Sequence, residues 1–523
     1  MGFYRLVRRI TGSYGLGGVL GISFLLLYIL MIGGSVSAVR ALVMFCIRVA
    51  ADMSGRVYDG PTSVAAAAAG IILWRPLSFY DAGFQLSFEA VCGIIFFCPP
   101  SADSSFKGRI FGSLKASLWV QLATLPAILF HYCEYPPYAL VLNLLVIPSM
   151  SLLLALGFAG SILCLVCEGL GCWCFSGCRG ILRLYEILCQ WFLRIPGSRI
   201  VTGQPAVSGI LIYSLCLVWL ALSLRGERKG SFRPAAAVCG MLALVISCPA
   251  VSHRGLEVTF LDVGQGDGIF LRERGGLTCL IDGGSSDVSG VGRYCMEPFL
   301  KARGVSRVDY VFVTHGDEDH VSGLKELIER QEKGVEIQTL VFPERKLWDE
   351  GLEELCRLAG REGISMVQIS PGQQISGREL KLSCLAPDGS LLQETGNEAS
   401  LVLEASWGEL DLLFAGDVEG RGEELLTEAV EKEYEVLKVA HHGSRNSTGD
   451  AFLGKVSPLI GVISAGRDNS YGHPHEETLS RLEERGTAVF QTARSGALIL
   501  KLTGKEVANL RIIQYNKFYE KFE

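Results

Sequence analysis

The sequence predicts a polytopic α-helical membrane domain followed by a soluble domain in which strands and helices alternate. Three observations carry this. Long, nearly uncharged apolar runs fill residues 15–250. Mixed, charged and turn-punctuated sequence follows from His253. Six of the 8 histidines fall into three short glycine-flanked motifs in that second half. The chain of 523 residues is 49% apolar with a mean hydropathy of +0.33, and is long enough for two or three domains. Its formal net charge of -6 averages two unlike halves and says little about partners. The predicted boundary puts a membrane domain at 1–250 and a soluble domain at 251–523.

Apolar runs of roughly 17 or more residues span a bilayer as helices. Such runs lie near 15–34, 61–76, 83–100, 114–131, 139–165, 206–224 and 234–250. Two further stretches carry charge: 35–53 with Arg40 and Arg48, and 170–195 with Arg179, Arg183, Glu186 and Arg194. These either span while lining a polar cavity, re-enter, or lie at the interface, which gives seven to nine spans. The first run is too long for a removed signal peptide, and apolar sequence continues after it. Arg5, Arg8 and Arg9 favour a cytoplasmic start, and Arg225, Arg228, Lys229 and Arg233 favour a cytoplasmic loop before the last span. The last span then carries the second half outside the cell membrane.

Thirteen of the 17 cysteines precede residue 250. The group Cys164, Cys167, Cys172, Cys174 and Cys178 has no nearby histidine and reads as small apolar residues in packed helices. Cys279, Cys295, Cys356 and Cys384 are scattered and define no disulfide framework.

In the second half, strands are expected at Leu256–Val263, Thr278–Asp282, Val308–Thr314, Leu380–Leu385, Ser400–Ala405, Asp411–Ala415, Val436–Val439, Leu459–Ser464 and Ala488–Gln491. Helices are expected at Met296–Arg303 and Ser322–Gln331, and near 348–359, 422–431 and 475–485. Polar residues stand just after strand ends: Asp282, His315, Asp417, and His441 with His442. Several strands delivering side chains from one end make one site at one edge of a sheet sandwich.

The stretch "THGDEDHVSG", Thr314–Gly323, sets the chemistry. His315, Asp317 and Asp319 alternate, so in an extended segment they point the same way, and His320 follows where the chain turns into a helix. Two divalent ions roughly 3.5–4 Å apart need such a ligand cluster, closed by a carboxylate that bridges both.

These residues resemble the metallo-β-lactamase superfamily, with Asp317 replacing the second histidine of its His-x-His-x-Asp-His signature. "LIDGG" (Leu280–Gly284) resembles that superfamily's early Asp motif and "LFAGD" (Leu413–Asp417) its later one. More narrowly, "LDVGQGDGIFL" (Leu261–Leu271), "NEASLVL" (Asn397–Leu403), "LKVAHHGSRNST" (Leu437–Thr448) and "YGHPH" (Tyr471–His475) are similar to the C-terminal domain of ComEC-type competence proteins. "GGSVSAVRALVM" (Gly33–Met44) and "DAGFQLSF" (Asp81–Phe88) resemble that family's membrane domain. The family's members begin with further helices and a small β domain resembling an OB-fold, which this chain is expected to lack.

The resemblance implies a polytopic α-helical membrane domain followed by a soluble αββα metallo-β-lactamase-like sandwich. It implies DNA uptake during natural transformation: a membrane channel for a single strand, and an outer metal-dependent nuclease that degrades the strand not transported. Two divalent metal ions, Zn²⁺ or Mn²⁺, are the expected cofactors, because aspartate in place of histidine enriches the donors in oxygen. Asp417 is expected to bridge. His315, Asp317 and one of His441 or His442 are placed on one ion, with Asp319, His320 and His473 near the other. Asp262 and Asp282 are expected behind the ligands, orienting them. Asp319 and Asp417 are the expected catalytic groups. Asn397 stands near the position of the superfamily's third-motif histidine, and it and Ser400 either position phosphate or water or serve a structural role. His475 caps a helix or lies at the surface. Arg40, Arg48 and Gln85 are expected along the DNA conduit, with interfacial snorkelling the alternative for the arginines. Single-stranded DNA, membrane lipids and other competence proteins are the implied partners, with the oligomeric state open. Two other functions stay open: a channel or scaffold whose metallo domain binds without cleaving, and a membrane-anchored phosphodiesterase acting on a non-DNA substrate.

Overall fold

Apolar sequence free of strand-forming alternation becomes helix throughout the first unit, Met1–Val251. The computed structural model describes residues 2–98, 105–225, 233–387 and 396–514. Ten helices of this unit run Gly2–Thr11, Tyr14–Met31, Val36–Met53, Gly60–Trp74, Ala82–Phe97, Phe106–Tyr132, Ala139–Cys164, Glu168–Leu193, Val207–Arg225 and Arg233–Ile246. Side-chain caps start several of them: Ser13 accepts from the Leu16 amide, Asp59 from Thr62, and Asp81 from Phe84. Tyr14–Met31, Phe111–Tyr132 and Ala139–Cys164 are each long and apolar enough to cross a membrane; Gly60–Trp74, Ala82–Phe97, Val207–Ser223 and Pro234–Ile246 are shorter apolar helices. The two charged stretches, 35–53 and 170–195, are each one continuous helix, Val36–Met53 and Glu168–Leu193. Leu30, Leu73 and Trp173 are 79%, 84% and 81% exposed, which a lipid surface accepts and water does not. The chain is a membrane protein. Of the arginine-rich loop used to orient it, residues 226–232 lie outside the described residues. Two short strands, β1 (Glu134–Tyr135) and β2 (Ile200–Val201), pair antiparallel across the helical unit.

Gly21 shows how these helices approach. A Cβ there would meet the Phe45 ring at 2.7 Å, so only glycine lets the helix Tyr14–Met31 lie against Val36–Met53, as small residues do between membrane helices.

The second unit, Ser252–Glu523, is a two-sheet sandwich with helices on both outer faces. The first sheet contains β3 (Leu256–Phe260), β4 (Ile269–Glu273), β5 (Thr278–Ile281), β6 (Arg307–Phe312), β7 (Glu336–Phe342) and β8 (Ser365–Gln368). The second contains β9 (Gln374–Ser376), β10 (Lys381–Ala386), β11 (Val402–Trp407), β12 (Leu410–Phe414), β13 (Val436–Lys438), β14 (Ile460–Ile463) and β15 (Ala488–Gln491). The chain then returns to the first sheet as β16 (Leu498–Leu502) and β17 (Leu510–Gln514). The orders are β17-β16-β3-β4-β5-β6-β7-β8 and β15-β14-β13-β12-β11-β10-β9. In each sheet four neighbouring strands run parallel, β5 to β8 and β12 to β15, and their C-terminal ends supply the site.

The inner faces bury Val258, Phe260, Leu271, Ile281 and Phe312 against Leu403, Leu412, Phe414, Val436 and Val462. Helices Glu318–Arg330 and Glu350–Arg361 cover the first sheet with Val321, Leu324, Leu352 and Leu355. Helices Gly420–Ala429, Asp450–Val456 and Glu476–Glu484 cover the second with Leu426, Phe452 and Leu482. This is the αββα sandwich the resemblance implied. The helix expected from Ser322 instead begins at Glu318, with Asp317 at its N-cap position. The alternation argument for His315, Asp317 and Asp319 therefore fails: Asp319 and His320 sit in the first helical turn, not on an extended segment.

Candidate metal centre

Each strand end contributes one piece of a buried polar cluster. After β5, Asp282 adopts φ 54° and accepts from the Thr314 amide at 2.8 Å and the Thr314 hydroxyl at 2.7 Å. The same carboxylate lies 2.8 Å from His320 Nδ1. Because the Thr314 hydroxyl proton is committed to Asp282, its oxygen is left to accept from His315 Nδ1 at 3.0 Å. His442 Nδ1, after β13, lies 2.8 Å from the Ser464 carbonyl, which can only accept. With metal bound, all three imidazoles would thus carry their proton on Nδ1 and offer the Nε2 lone pair. That is how second partners fix histidines that bind metal through Nε2.

The Nε2 atoms have no hydrogen-bond partner although they are buried, a costly arrangement unless something else is accommodated there. His320 Nε2 and His442 Nε2 both lie 3.2 Å from Asp417 Oδ2, and His442 Nε2 is 3.3 Å from Asp319 Oδ2. Ligand atoms of Asp319, His320, Asp417 and His442 all fall within 4.8 Å of one another. His315 Nε2 stands 3.6 Å from Asp317 Oδ2. The orphaned nitrogens, with carboxylate oxygens interleaved, fit a divalent cation. Without one, protons take its place on His320 and His442. Burial lowers the His442 pKa, but Asp417 and Asp319 outweigh it and push it up to about 10. His320 is likewise raised by Asp417 and Asp282 against its burial. Burial raises the Asp319 carboxyl, and His442 and His320 bring it down to about 2.

A fixed cation stands behind the cluster. Lys438, the last residue of β13, is 1% exposed and its Nζ contacts Asp267, Asp417 Oδ1 at 3.3 Å and the Gly416 carbonyl at 2.9 Å. Asp267 and Asp417 hold the ammonium raised against its burial. One Asp417 oxygen is thereby tied to Lys438 while the other faces His320 and His442. The loops approach closely: a Cβ on Gly284 would meet the His320 nitrogen at 2.6 Å, so only glycine lets the β5 loop close on the helix start.

Comparison with known proteins agrees across both units. The Competence protein family matches residues 1–227, and the metallo-beta-lactamase superfamily matches residues 261–467. ComE operon protein 3 of Bacillus subtilis is 26% identical over 95% of this chain and 65% of its own length. Competence protein ComA of Neisseria gonorrhoeae is 26% identical over 95% of this chain and 66% of its own. The chain carries a Competence protein domain followed by a metallo-beta-lactamase domain, consistent with the resemblance to ComEC-type competence proteins. It spans about two thirds of the length of these curated relatives. Among solved structures, YhfI of Bacillus subtilis, a metallo-beta-lactamase fold protein, aligns at 13% identity over 45% of this chain and 95% of its own with a TM-score of 0.31. Zn²⁺-bound PqqB of Methylobacterium extorquens aligns at 14% identity over 46% and 88% with a TM-score of 0.32.

The site residues expected from sequence are grouped differently from the expectation. His442, not His441, joins Asp319, His320 and Asp417. His441 turns away: its Nδ1 lies 2.9 Å from Glu419 Oε2, and Asn397 Nδ2 bridges Glu419 at 3.3 Å and His441 Nε2 at 3.4 Å. His441 and His442 have φ 48° and 52°, a left-handed pair costing of order 1–3 kcal/mol each; it aims the two rings in different directions. Ser400 is fully buried and its hydroxyl accepts from the Asp417 amide at 3.1 Å, so it positions the carboxylate. His473 stacks 6.3 Å from His442 and falls outside the four-residue group. Burial and the neighbouring His442 and His441 take its pKa down to about 4. His475 Nδ1 accepts from the Arg445 amide at 3.2 Å and occupies the N-cap position of its helix. Asp262 accepts a weak Cys295 thiol contact at its carbonyl, and the carboxylate found behind the ligands beside Asp282 is Asp267.

In the first unit, Arg40 Nη1 donates to the Ser87 carbonyl at 2.6 Å while its Nε is buried without a hydrogen bond. Arg48 pairs with Asp52 at 3.3 Å and lies over Tyr58. Gln85 donates to the Phe79 carbonyl at 3.0 Å and meets His131 at 2.9 Å.

Asp267, Lys438 and Glu419 were not singled out from sequence. A signal existed for Lys438, a lone lysine inside the apolar run Val436–Val439. For Asp267 it was the Gly-Gln-Gly-Asp turn after β3.

Proposed function

We propose that the second unit hydrolyses phosphodiester bonds with bound divalent metal, and that the whole chain takes up DNA during transformation. The observation that carries the first part is the trio of buried imidazoles, His315, His320 and His442, each with Nδ1 engaged and Nε2 without a hydrogen bond, facing Asp317 in the first case and Asp417 in the other two. Asp319, His320, Asp417 and His442 would hold one ion, and His315 with Asp317 would offer donors to a second. When bound, divalent ions polarise a phosphoryl oxygen and make a water acidic enough to ionise near neutral pH. The chain's own residues do the rest. Asp282 and Ser464 lock the imidazole orientations, Ser400 and Lys438 lock Asp417, and Lys438 offsets carboxylate charge that would otherwise repel a phosphate. The donors mix nitrogen and oxygen, a set that suits Zn²⁺ or Mn²⁺.

The membrane unit is proposed to conduct a single strand, a reading supported by the family match over residues 1–227 and by the unsatisfied guanidinium nitrogen of Arg40. The metallo unit is proposed to lie outside the cell membrane and to degrade the strand that is not carried. The test is cleavage of single-stranded DNA by the purified protein in detergent, stripped with EDTA and reloaded with Mn²⁺ or Zn²⁺. Cleavage should return with one of these ions and be abolished by His320→Ala. A wild-type protein that binds metal and DNA yet cleaves neither DNA nor bis-p-nitrophenyl phosphate would instead support a binding scaffold. Cleavage of the small ester alone would support a non-DNA phosphodiesterase.

A further inference from the structure

The segment Gly466–His475 between β14 and the helix Glu476–Glu484 presents an aromatic ring beside the metal centre, and nothing in the hydrolytic chemistry uses it. One side chain builds the segment. Asn469 Nδ2 donates to the Gly466 carbonyl at 2.9 Å and the His473 carbonyl at 2.6 Å, while its Oδ1 accepts from the Tyr471 amide at 3.1 Å and the His473 amide at 3.0 Å. The loop is therefore pinned across its length. Tyr471 lies over His473 with ring centroids 5.7 Å apart and planes 21° from parallel, and His473 lies over His442 at 6.3 Å and 29°. A stack of three rings runs outward from a residue of the metal centre to Tyr471, which is 57% exposed. An aromatic residue held this rigidly, with one face covered and considerable surface left to solvent, is what a planar ligand needs and what an isolated core does not.

We propose that Tyr471 is a stacking platform for a nucleobase about one or two nucleotides from the phosphate held at the metal centre. This deepens the phosphodiesterase reading above and rests on it for the position of the phosphate. Every base has a π-face, so a platform of this kind tolerates sequence while requiring that the base be unpaired and free to leave its own stack. A duplex keeps its bases inside and cannot use the ring; a phosphodiester without a base gains nothing from it. The platform thus makes the site selective for single-stranded nucleic acid.

The test reads binding, so that it does not depend on cleavage. The full chain in detergent, metal-stripped, is titrated into a short fluorescein-labelled oligothymidylate and into an abasic oligonucleotide of equal length, by fluorescence anisotropy. Wild type should bind the oligothymidylate more tightly. Tyr471→Ala should lose about 5- to 150-fold in affinity for it with no change on the abasic strand, and Tyr471→Phe should retain wild-type affinity. Equal losses on both strands would mean a merely structural role, and an unchanged oligothymidylate affinity in Tyr471→Ala would remove the platform; either result overturns the proposal. Tyr471-dependent binding in a protein that never cleaves would uphold the platform and defeat the phosphodiesterase reading alone.

Discussion

Lys438→Met replaces the buried ammonium with an apolar side chain of similar length and leaves little cavity, so its effect isolates the charge. Lys438 Nζ contacts Asp267, Asp417 Oδ1 at 3.3 Å and the Gly416 carbonyl at 2.9 Å, and all three lose their cationic partner. Removing one member of a buried ion pair costs about 3–5 kcal/mol. In the metal-free protein, protonated His320 and His442 still face Asp417, so the lower end, about 3 kcal/mol, is expected. The assay is amide hydrogen exchange of β13 and β14 in the EDTA-treated protein, where that loss appears as opening favoured by roughly two orders of magnitude. Asp267→Asn combined with Lys438→Met removes an acid with its base and should recover at least half of the loss, because the orphaned carboxylate is then gone. Exchange within threefold of wild type in the single variant, or a double variant no better than the single, would refute the role assigned to this lysine.

Three further outcomes follow from the same geometry. Glu273 is 3% exposed and accepts from the amides of Leu277, Arg378, Glu379 and Leu380; burial raises its pKa, yet these four donors leave it below the ordinary glutamate value. Its contribution is therefore complete above the unfolded value of roughly 4.3 and is lost as pH falls through the lower folded value. Glu273→Ala should cost at least about 2 kcal/mol at neutral pH and progressively less in acid, as read by exchange of β4 and β10 amides. Ser400→Ala strands the buried Asp417 amide at a cost of about 1–3 kcal/mol and should weaken metal affinity, measured by competition with a chromophoric chelator, without changing the helical content. Arg40→Ala should lower entry of labelled DNA into competent cells carrying this protein, while cleavage by the purified protein stays at wild-type level; normal entry would assign Arg40 to helix packing through Ser87.

Much of the sandwich and its polar edge could be read from the sequence because the chemistry is concentrated. Three motifs hold six histidines, and apolar runs such as Val308–Thr314 and Leu459–Ser464 match β6 and β14 closely. Edge and hairpin strands were harder. β8 is exposed along its whole length and shows no alternation, and β9 has three residues. The partition of ligands was not legible because it depends on backbone direction. His441 and His442 are neighbours in sequence, yet consecutive left-handed residues send one to Glu419 and the other to Asp417. Asp319 and His320 enter the centre from a helix rather than a strand because the helix starts at Glu318. Lys438 was hidden by its surroundings, an inward-facing lysine among apolar residues that reads as core until Asp267 is brought to it from a loop 171 positions earlier in the chain. In the first unit, composition marks the apolar helices, whereas the partners of Arg40, Arg48 and Gln85 come from helix packing that no single-helix periodicity encodes.

The most direct measurement is the metal content of the purified protein and its Asp417→Asn variant after loading with Mn²⁺ or Zn²⁺ and removal of loosely held ions, read by elemental mass spectrometry. Wild type should retain at least one divalent ion per chain, and Asp417→Asn, which weakens the carboxylate shared by His320 and His442, should retain far less while β13 and β14 stay protected from exchange. A wild-type protein that holds no ion, or a variant that holds as much as wild type, would contradict the metal centre.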